Sequence, residues 1–249
     1  MPALRLASYN IHLGIGRDGE FDPARIAHVI DEIDADVIAL QEISMGAGRF
    51  DMLGYLADRC DMNPIAGPTL VSSAGEYGNA MLTRLHVAQV HRWDLSIGRH
   101  EPRGAIDALL HPDHGCLRVL ATHLGLRPGE RRKQIRLLLE IIRKDNRFPT
   151  VLLGDVNEWF LWGRPLRWMH RYFQSTPAPA TFPSGHPLFA LDCIWVEPRR
   201  ALKSVAVHAS AVSRIASDHL PIVADLELED MISTIPPTRA HGLAQALTA

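Results

Sequence analysis

Short apolar runs rich in β-branched residues alternate with segments of helical periodicity along most of the chain. The runs predict strands near residues 5–10, 36–42, 77–82, 92–97, 107–110, 117–122, 150–155, 188–196, 205–207 and 222–228. Helices are predicted at 22–33, 51–60 and 130–147, the first of them starting at Asp22-Pro23. Several strands are apolar throughout, as expected for sheets covered on both faces, so the pattern predicts a layered α/β protein.

Polar side chains with catalytic or metal-binding chemistry follow several of these strands. They are Asn10, Glu42, His123, Asp155 with Asn157, and Asp218 with His219, the last pair standing at the entrance of a strand. Each is ambiguous by itself, because an Asn, Asp or His at a strand end is commonly a turn or surface residue. Their repetition at strand ends favours a common site, where carboxylate and amide oxygens suit a hard divalent cation.

Asp192 differs from these residues because it interrupts an apolar run. A buried carboxylate is costly unless it is paired, and an imidazole is its natural partner. We therefore predict a pair between Asp192 and His219. Arg103 carries a planar, permanent charge suited to phosphate, although a surface Arg is the simpler interpretation of that residue alone.

Two further stretches have two interpretations each. The helix at 130–147 carries Arg131, Arg132, Lys133, Arg136, Arg143 and Lys144 on its polar face, which indicates a solvated face or an attraction for anions. The aromatic residues Trp159, Phe160, Trp162 and Trp168 are typical of a core or pocket wall and could also accommodate an apolar substrate. Residues 111–115 predict a hairpin turn.

Composition narrows the classes of function. The 249 residues carry 26 Lys and Arg against 28 Asp and Glu, so no overall field attracts nucleic acid. Three scattered Cys indicate neither a disulfide framework nor a zinc site. No apolar run is long enough to span a bilayer, and no signal-peptide core is evident, so we expect a cytoplasmic protein. Residues 1–229 are predicted to form the domain and 230–249 a tail.

The ordered motifs resemble one known family. They are Tyr9-Asn10-Ile11, Leu40-Gln41-Glu42, Gly78-Asn79-Ala80, Arg103-Gly104-Ala105, Thr122-His123-Leu124, Gly154-Asp155-Val156-Asn157, Leu191-Asp192 and Ser217-Asp218-His219-Leu220-Pro221-Ile222. Together they resemble the endonuclease/exonuclease/phosphatase superfamily, the fold of pancreatic deoxyribonuclease. The resemblance implies a four-layer sandwich, in which two mixed β-sheets pack face to face between helices.

The resemblance also implies roles for individual residues. Asn10, Glu42 and Asp218 match metal-site positions, with Mg²⁺ or Mn²⁺ as the implied cofactor. Asp155 and Asn157 match residues that orient water and phosphate, His219 with Asp192 matches the catalytic imidazole, and His123 matches a phosphate-side position. Arg103 and Asn79 match substrate-binding positions.

The implied activity is metal-dependent hydrolysis of a phosphate ester, on a phospholipid or a small ester. A nuclease acting on DNA or RNA is the alternative, and a non-catalytic binding module is the second alternative. His12 stands where some abasic-site endonucleases carry Asp, which weighs against a second metal position there and against that substrate. Neither the oligomeric state nor the identity of the catalytic base, His219 or Asp155, follows from the sequence.

Overall fold

The computed structural model describes residues 3–46, 50–73, 75–112, 115–227 and 229. The predicted tail at 230–249 therefore lies outside the described residues, as do Asp113 and His114 of the predicted hairpin turn. The two strands on either side of that turn are antiparallel neighbours.

Eleven strands form two sheets in the part of the chain that is described. They are β1 (Ala3–Asn10), β2 (Val37–Met45), β3 (Asn63–Ser72), β4 (Gly75–Thr83), β5 (His86–Asp94), β6 (Gly104–His111), β7 (Leu117–His123), β8 (Thr150–Asp155), β9 (Asp192–Glu197), β10 (Leu202–Val207) and β11 (Ile222–Glu227). One sheet has the order β10-β11-β1-β2-β4-β3 and the other the order β5-β6-β7-β8-β9. Only β1 with β2 and β7 with β8 pair in parallel, so both sheets are mixed.

The helices with described residues are α1 (Pro23–Ile33), α2 (Met52–Cys60), α3 (Pro128–Lys144), α4 (Arg164–Phe173) and the single-turn α5 (Ser213–Ala216). The Asp22 side chain accepts a hydrogen bond from the Arg25 N–H, which caps α1 as its sequence predicts. Two shorter 3-10 turns lie at His12–Gly14 and Arg199–Ala201.

Three apolar layers hold the sandwich together. The central layer lies between the sheets and takes residues such as Leu6, Val119 and Ile194 from both of them. A second layer joins α1 and α2 to the six-stranded sheet, and a third joins α3 and α4 to the five-stranded sheet. The arrangement confirms the predicted four-layer sandwich of two mixed sheets flanked by helices.

Three predicted strands differ in detail from the structure, and one of them, predicted at 92–97, belongs to β5, which runs from His86 to Asp94. Glu42 does not end its strand but lies inside β2, at a β-bulge where its φ is 56°. A bulge re-aims a side chain without ending the strand, which a periodic pattern does not reveal. The strand predicted at 188–196 begins only at Asp192, and Phe189 makes an isolated bridge with Phe182.

Among the elements longer than one turn, strand β3 and helix α4 were not predicted. Strand β3 contains Pro64 and Pro68, and it lies at the sheet edge, where missing N–H donors are tolerated. Helix α4 begins at Arg164-Pro165 and buries Leu166, Met169 and Phe173.

The predicted basic face of α3 needs a correction. Arg131 is buried and forms an ion pair with Glu158, Nε to Oε2 at 3.3 Å, rather than facing solvent. Ile135, Leu138 and Leu139 pack inward as predicted. The aromatic stretch is only partly core, since Trp159, Phe160 and Trp162 are 39%, 53% and 73% exposed whereas Trp168 packs against the layer that joins α3 and α4 to the sheet.

Gly154 allows β8 to lie close to β7 just before the polar end of each strand. A Cβ built on Gly154 would lie 1.9 Å from the Thr122 carbonyl oxygen on the neighbouring strand β7, and the φ of Gly154 is 147°. Only glycine lets β8 run this close to β7 while it carries Asp155 forward.

None of the helices in the described ranges has the length and apolarity needed to cross a membrane.

Candidate active site

The two sheets present polar residues at the same end of the sandwich. Asn10 ends β1 in one sheet, and Asp155 ends β8 in the other. The Asn10 amide donates to Asp155 Oδ2 at 3.1 Å and to Glu42 Oε1 at 3.0 Å, while its Oδ1 accepts from the His12 N–H at 3.1 Å. One amide group therefore links two carboxylates that come from different sheets.

Asp155 is the centre of this group and is almost completely buried. Its Oδ1 accepts from the Asn157 N–H at 2.9 Å, and its Oδ2 lies 3.5 Å from His123 Nε2 and 3.8 Å from His219 Nε2. Burial raises the pKa of the Asp155 carboxyl to about 7, and the charge of Asp192 adds to this rise. The carboxyl is thus balanced between its protonated and ionised forms near neutral pH.

Asp192 and His219 form the pair that the apolar run around Asp192 predicts. His219 Nδ1 lies 2.8 Å from Asp192 Oδ2, which also accepts from the Thr181 hydroxyl at 2.6 Å. Burial by itself lowers the pKa of His219, but the charge and hydrogen bond of Asp192, together with the charges of Asp155 and Asp218, outweigh it and raise the pKa to about 10. The ring therefore carries its proton at neutral pH and turns Nε2 toward Asp155.

His123 has the opposite electrostatic character. Arg103 donates from Nη1 to His123 Nδ1 at 3.0 Å and from Nη2 to Glu101 Oε2 at 3.1 Å. Burial lowers the pKa of His123 well below its ordinary value, and the Arg103 charge acts in the same direction. His123 is thus a neutral imidazole whose second nitrogen lies 3.1 Å from the Asn157 amide.

Two predicted residues lie at the margin of this network. The Ser217 hydroxyl oxygen is 3.3 Å from Asp218 Oδ1 and 2.7 Å from the Asn10 carbonyl, which places Asp218 beside the end of β1. Asn79 donates to the Gly104 carbonyl at 3.1 Å, a contact between β4 and β6 and hence between the sheets. Within the described ranges, Asn79 makes no hydrogen bond to another predicted site residue.

The donors present fit a hard divalent cation. Glu42 and Asp155 provide carboxylate oxygens around one amide, the donor types that Mg²⁺ and Mn²⁺ prefer. The closest described grouping of ligand atoms, within 4.8 Å of one another, is Asp155, Asp192 and His219. In addition, Asp192 Oδ1 is buried and has no hydrogen-bond partner among the described residues.

Thr181, Phe182 and Ser217 are site residues that the sequence analysis did not single out. The Phe182 ring packs against the His219 ring with centroids 4.9 Å apart. Ser217 joins the loop before β11 to the end of β1. Ser217 belongs to the Ser-Asp-His motif and could have been found there, whereas Thr181 lies in a loop 11 residues before its partner Asp192 and carries no comparable motif.

The arrangement brings together complementary acid and base chemistry. A buried carboxyl titrating near neutrality, a cationic imidazole and a neutral imidazole held by an Arg lie within a few ångströms of one another. Such a set can accept a proton from water and stabilise negative charge on an oxyanion.

Comparisons with known proteins agree with the geometry. The sequence profile of the endonuclease/exonuclease/phosphatase family matches residues 7–219. The chain is 27% identical to protein YbhP of Escherichia coli (strain K12), over 91% of this chain and 97% of that protein.

Two solved structures show the same fold at low identity. An endonuclease/exonuclease/phosphatase from Beutenbergia cavernae aligns at a TM-score of 0.72 and 23% identity, covering 90% of this chain and 71% of that one. A mannosyl-6-phosphatase from Bacteroides thetaiotaomicron aligns at 0.73 and 17%, covering 90% and 99%. Because the family profile spans most of the chain, the protein belongs to the endonuclease/exonuclease/phosphatase family.

Proposed function

We propose that the protein is a hydrolase of phosphate esters that depends on Mg²⁺ or Mn²⁺, acting on a phospholipid or a small phosphate ester. The observation that carries the proposal is the Asn10 amide, which lies between Glu42 of one sheet and Asp155 of the other. A site assembled from the ends of two sheets suits a substrate whose several oxygens must be held at once.

In this proposal Glu42 and Asn10 would hold the cation, with Asp218 beside them. When bound, the cation would neutralise the phosphate and polarise its oxygens. Arg103 would add positive charge on the opposite side, next to His123. We propose that Asn79 binds substrate beside Arg103, because it contacts Gly104, the next residue in the chain.

The two imidazoles and the carboxyl would divide the proton chemistry. The pKa values favour Asp155 as the group that accepts the proton from water, since His219 is already protonated at neutral pH. His219, held by Asp192, would then stabilise the negative charge that develops on phosphate. Asn157 and neutral His123 would donate hydrogen bonds to phosphate oxygens from the other side.

A substrate panel tests the proposal. Phospholipid head-group esters, nucleotides, sugar phosphates, DNA and RNA would each be assayed with Mg²⁺, with Mn²⁺ and with a chelator. We expect turnover that the chelator abolishes, and a loss of about 1000-fold in Asp155→Asn. Asp225→Asn is the matched control, because Asp225 is a partly exposed carboxylate that pairs with Arg5.

Three results would contradict the proposal in different ways. Metal-dependent turnover that survives in Asp155→Asn would reject the site assignment. Cleavage restricted to DNA or RNA would favour the nuclease, although the burial of Arg131 and the stacking of Arg136 on Trp168 leave fewer free cations on α3 for that function. Absence of divalent-metal binding would revive the non-catalytic binding module.

A further inference from the structure

An exposed aromatic loop follows the candidate site directly. The loop, residues 159–162, has the sequence Trp-Phe-Leu-Trp and begins two residues after Asn157. Phe160, Leu161 and Trp162 are 53%, 60% and 73% exposed, and Leu188 nearby in the 182–189 segment is 73% exposed. Consecutive large apolar side chains in solvent are costly, and such patches mark interaction surfaces.

The base of the aromatic loop is held firmly. Glu158 is buried, pairs with Arg131 and accepts a hydrogen bond from the Phe160 N–H at 3.3 Å. The Gly163 N–H donates to the Phe160 carbonyl at 2.7 Å, which closes the loop into a turn. A buried ion pair therefore anchors the turn that exposes these apolar side chains.

A chain of ring contacts joins the loop to the candidate site. The Trp159 ring lies 4.8 Å from Phe189 and 5.8 Å from Phe182, centroid to centroid. Phe182 in turn packs against His219 at 4.9 Å. A surface that covers the aromatic loop would therefore lie at the rim of the candidate site.

The chain segment that carries the loop has charges of one sign only. Residues 159–191 contain no Asp or Glu, although acidic residues outnumber basic ones in the whole chain. Arg164, Arg167 and Arg171 follow the loop on α4 at spacings that place them on one helix face, and all three are exposed. No carboxylate among the described residues forms an ion pair with them.

We infer that the aromatic loop and these three arginines form a docking surface for an anionic lipid bilayer. Trp and Phe side chains favour the bilayer interface, and basic side chains beside them bind anionic lipid head groups. Leu161 and Leu188 support a bilayer over single-stranded nucleic acid, because aliphatic side chains do not provide the stacking surface that bases use. The inference goes beyond the proposed function, since docking requires no turnover.

Vesicle flotation with the full chain tests the inference, in chelator so that no substrate is consumed. The probes are vesicles of phosphatidylcholine alone and of phosphatidylcholine mixed with phosphatidylglycerol. We expect binding to the mixed vesicles, weakened about tenfold or more in the F160S/W162S double variant. Val71→Ser is the matched control, because Val71 is 73% exposed on β3, in the other sheet.

The charge contribution is tested separately. Each of R164Q, R167Q and R171Q should weaken binding to the mixed vesicles by about fivefold, the equivalent of about 1 kcal/mol for one basic residue near the surface. The matched control is Arg59→Gln. Arg59 is an exposed residue of α2, and α2 packs on the six-stranded sheet. Thermal unfolding midpoints equal to that of the wild type would show that the variants fold.

Two results would overturn the inference. One is the absence of binding to either vesicle by the wild-type protein. The other is binding to a single-stranded oligonucleotide that the F160S/W162S variant loses, without vesicle binding, which would assign the surface to nucleic acid. Because neither readout involves hydrolysis, failure of docking is distinguishable from failure of the proposed function.

Discussion

Strand β7 carries a buried polar network at each of its two ends, and the networks differ in how completely they are paired. Near its start, Arg118 binds both carboxylate oxygens of Asp107, at 2.8 and 2.6 Å, and donates to the Asp145 carbonyl at 2.6 Å. Asp107 also accepts from the Trp93 indole at 2.9 Å. At its other end, His123 joins Arg103 and Asp155, where Asp192 Oδ1 and Arg103 Nε have no described hydrogen-bond partner.

The difference distinguishes buried charges that stabilise the fold from buried charges that are candidates for chemistry. The Arg118–Asp107 pair matches one cation with one anion and satisfies its donors, which is the arrangement that a folded interior requires. Asp155, in contrast, lies close to a second carboxylate, that of Asp192. Burial raises the pKa of Asp155, and the charge of Asp192 adds to the rise. Proteins retain such incomplete pairing where a substrate or ion completes it, so the second end of β7 is the better candidate for chemistry.

The largest expected effect is on catalysis at the His123 end. His219→Ala should lower kcat by about 1000-fold or more, because it removes the cationic imidazole beside Asp155. The thermal midpoint should fall as well, because Asp192 stays buried without its cation, so turnover is compared per folded molecule. The measurement is steady-state turnover of the best substrate in the panel, alongside thermal unfolding of the same preparation. Turnover within tenfold of the wild type would remove His219 from the proposed mechanism.

The converse variant breaks the Arg118 end. Arg118→Met leaves Asp107 buried without its cation and should lower the free energy of unfolding by about 3–5 kcal/mol. Arg147→Met is the control, since the exposed Arg147–Asp145 pair is worth about 1 kcal/mol or less. Denaturant unfolding provides both values, and turnover per folded molecule should be retained. Equal losses in the two variants would contradict the structural role of the Arg118 end.

The two ends also differ in how far the sequence predicts them. His123, Asp155, Asn157 and His219 each stand in a short motif at a strand end, so their convergence follows once the strands are placed. Arg118 and Asp107 alternate within strand-forming runs and carry no such motif. Their pairing depends on the register between β6 and β7, which no local pattern encodes.

Predictions from the sequence are wrong where tertiary contacts override the local pattern. Glu42 was predicted at a strand exit, but a bulge turns it toward Asn10 from inside β2. Helical periodicity places Arg131 on a solvated face. In the structure Arg131 is buried in an ion pair with Glu158. Thr181 contacts Asp192 across a loop of irregular backbone. Each miss involves a partner that lies 11 or more residues away in the chain, outside the reach of a local pattern.

The pH dependence of stability should separate the two ends. The folded pKa of His219 is about 10, against an ordinary value of 6.5, so the folded protein keeps a proton that the unfolded chain releases between these values. The stabilisation is therefore complete below about pH 6.5 and is lost as the pH rises toward 10, by about 5 kcal/mol. Denaturant unfolding in chelator across this range measures it.

A variant identifies the source of that pH dependence. Asp192→Asn removes the charge that raises the pKa of His219, so its unfolding free energy should fall less steeply over the same range. Slopes are compared rather than absolute stabilities, because the substitution also alters the hydrogen bond with Thr181. Asp225→Asn serves as the exposed control. Identical slopes in the wild type and Asp192→Asn would show that another group titrates.

The smallest expected effect concerns Asn79, which lies between the sheets beside the His123 end. Its amide shares the Gly104 carbonyl with the Thr122 hydroxyl, so Asn79→Ala should cost about 1 kcal/mol of unfolding free energy. If Asn79 also binds substrate as proposed, KM should rise by about fivefold while kcat changes little, because a lost hydrogen bond weakens binding by a similar free energy. Thr83→Ala is a matched control, since Thr83 is a buried β4 residue whose hydroxyl donates to the Asp36 carbonyl at the opposite end of that strand. A lower thermal midpoint with an unchanged KM would assign Asn79 to sheet packing alone, and the His123 end of β7 would then lose one of its proposed substrate contacts.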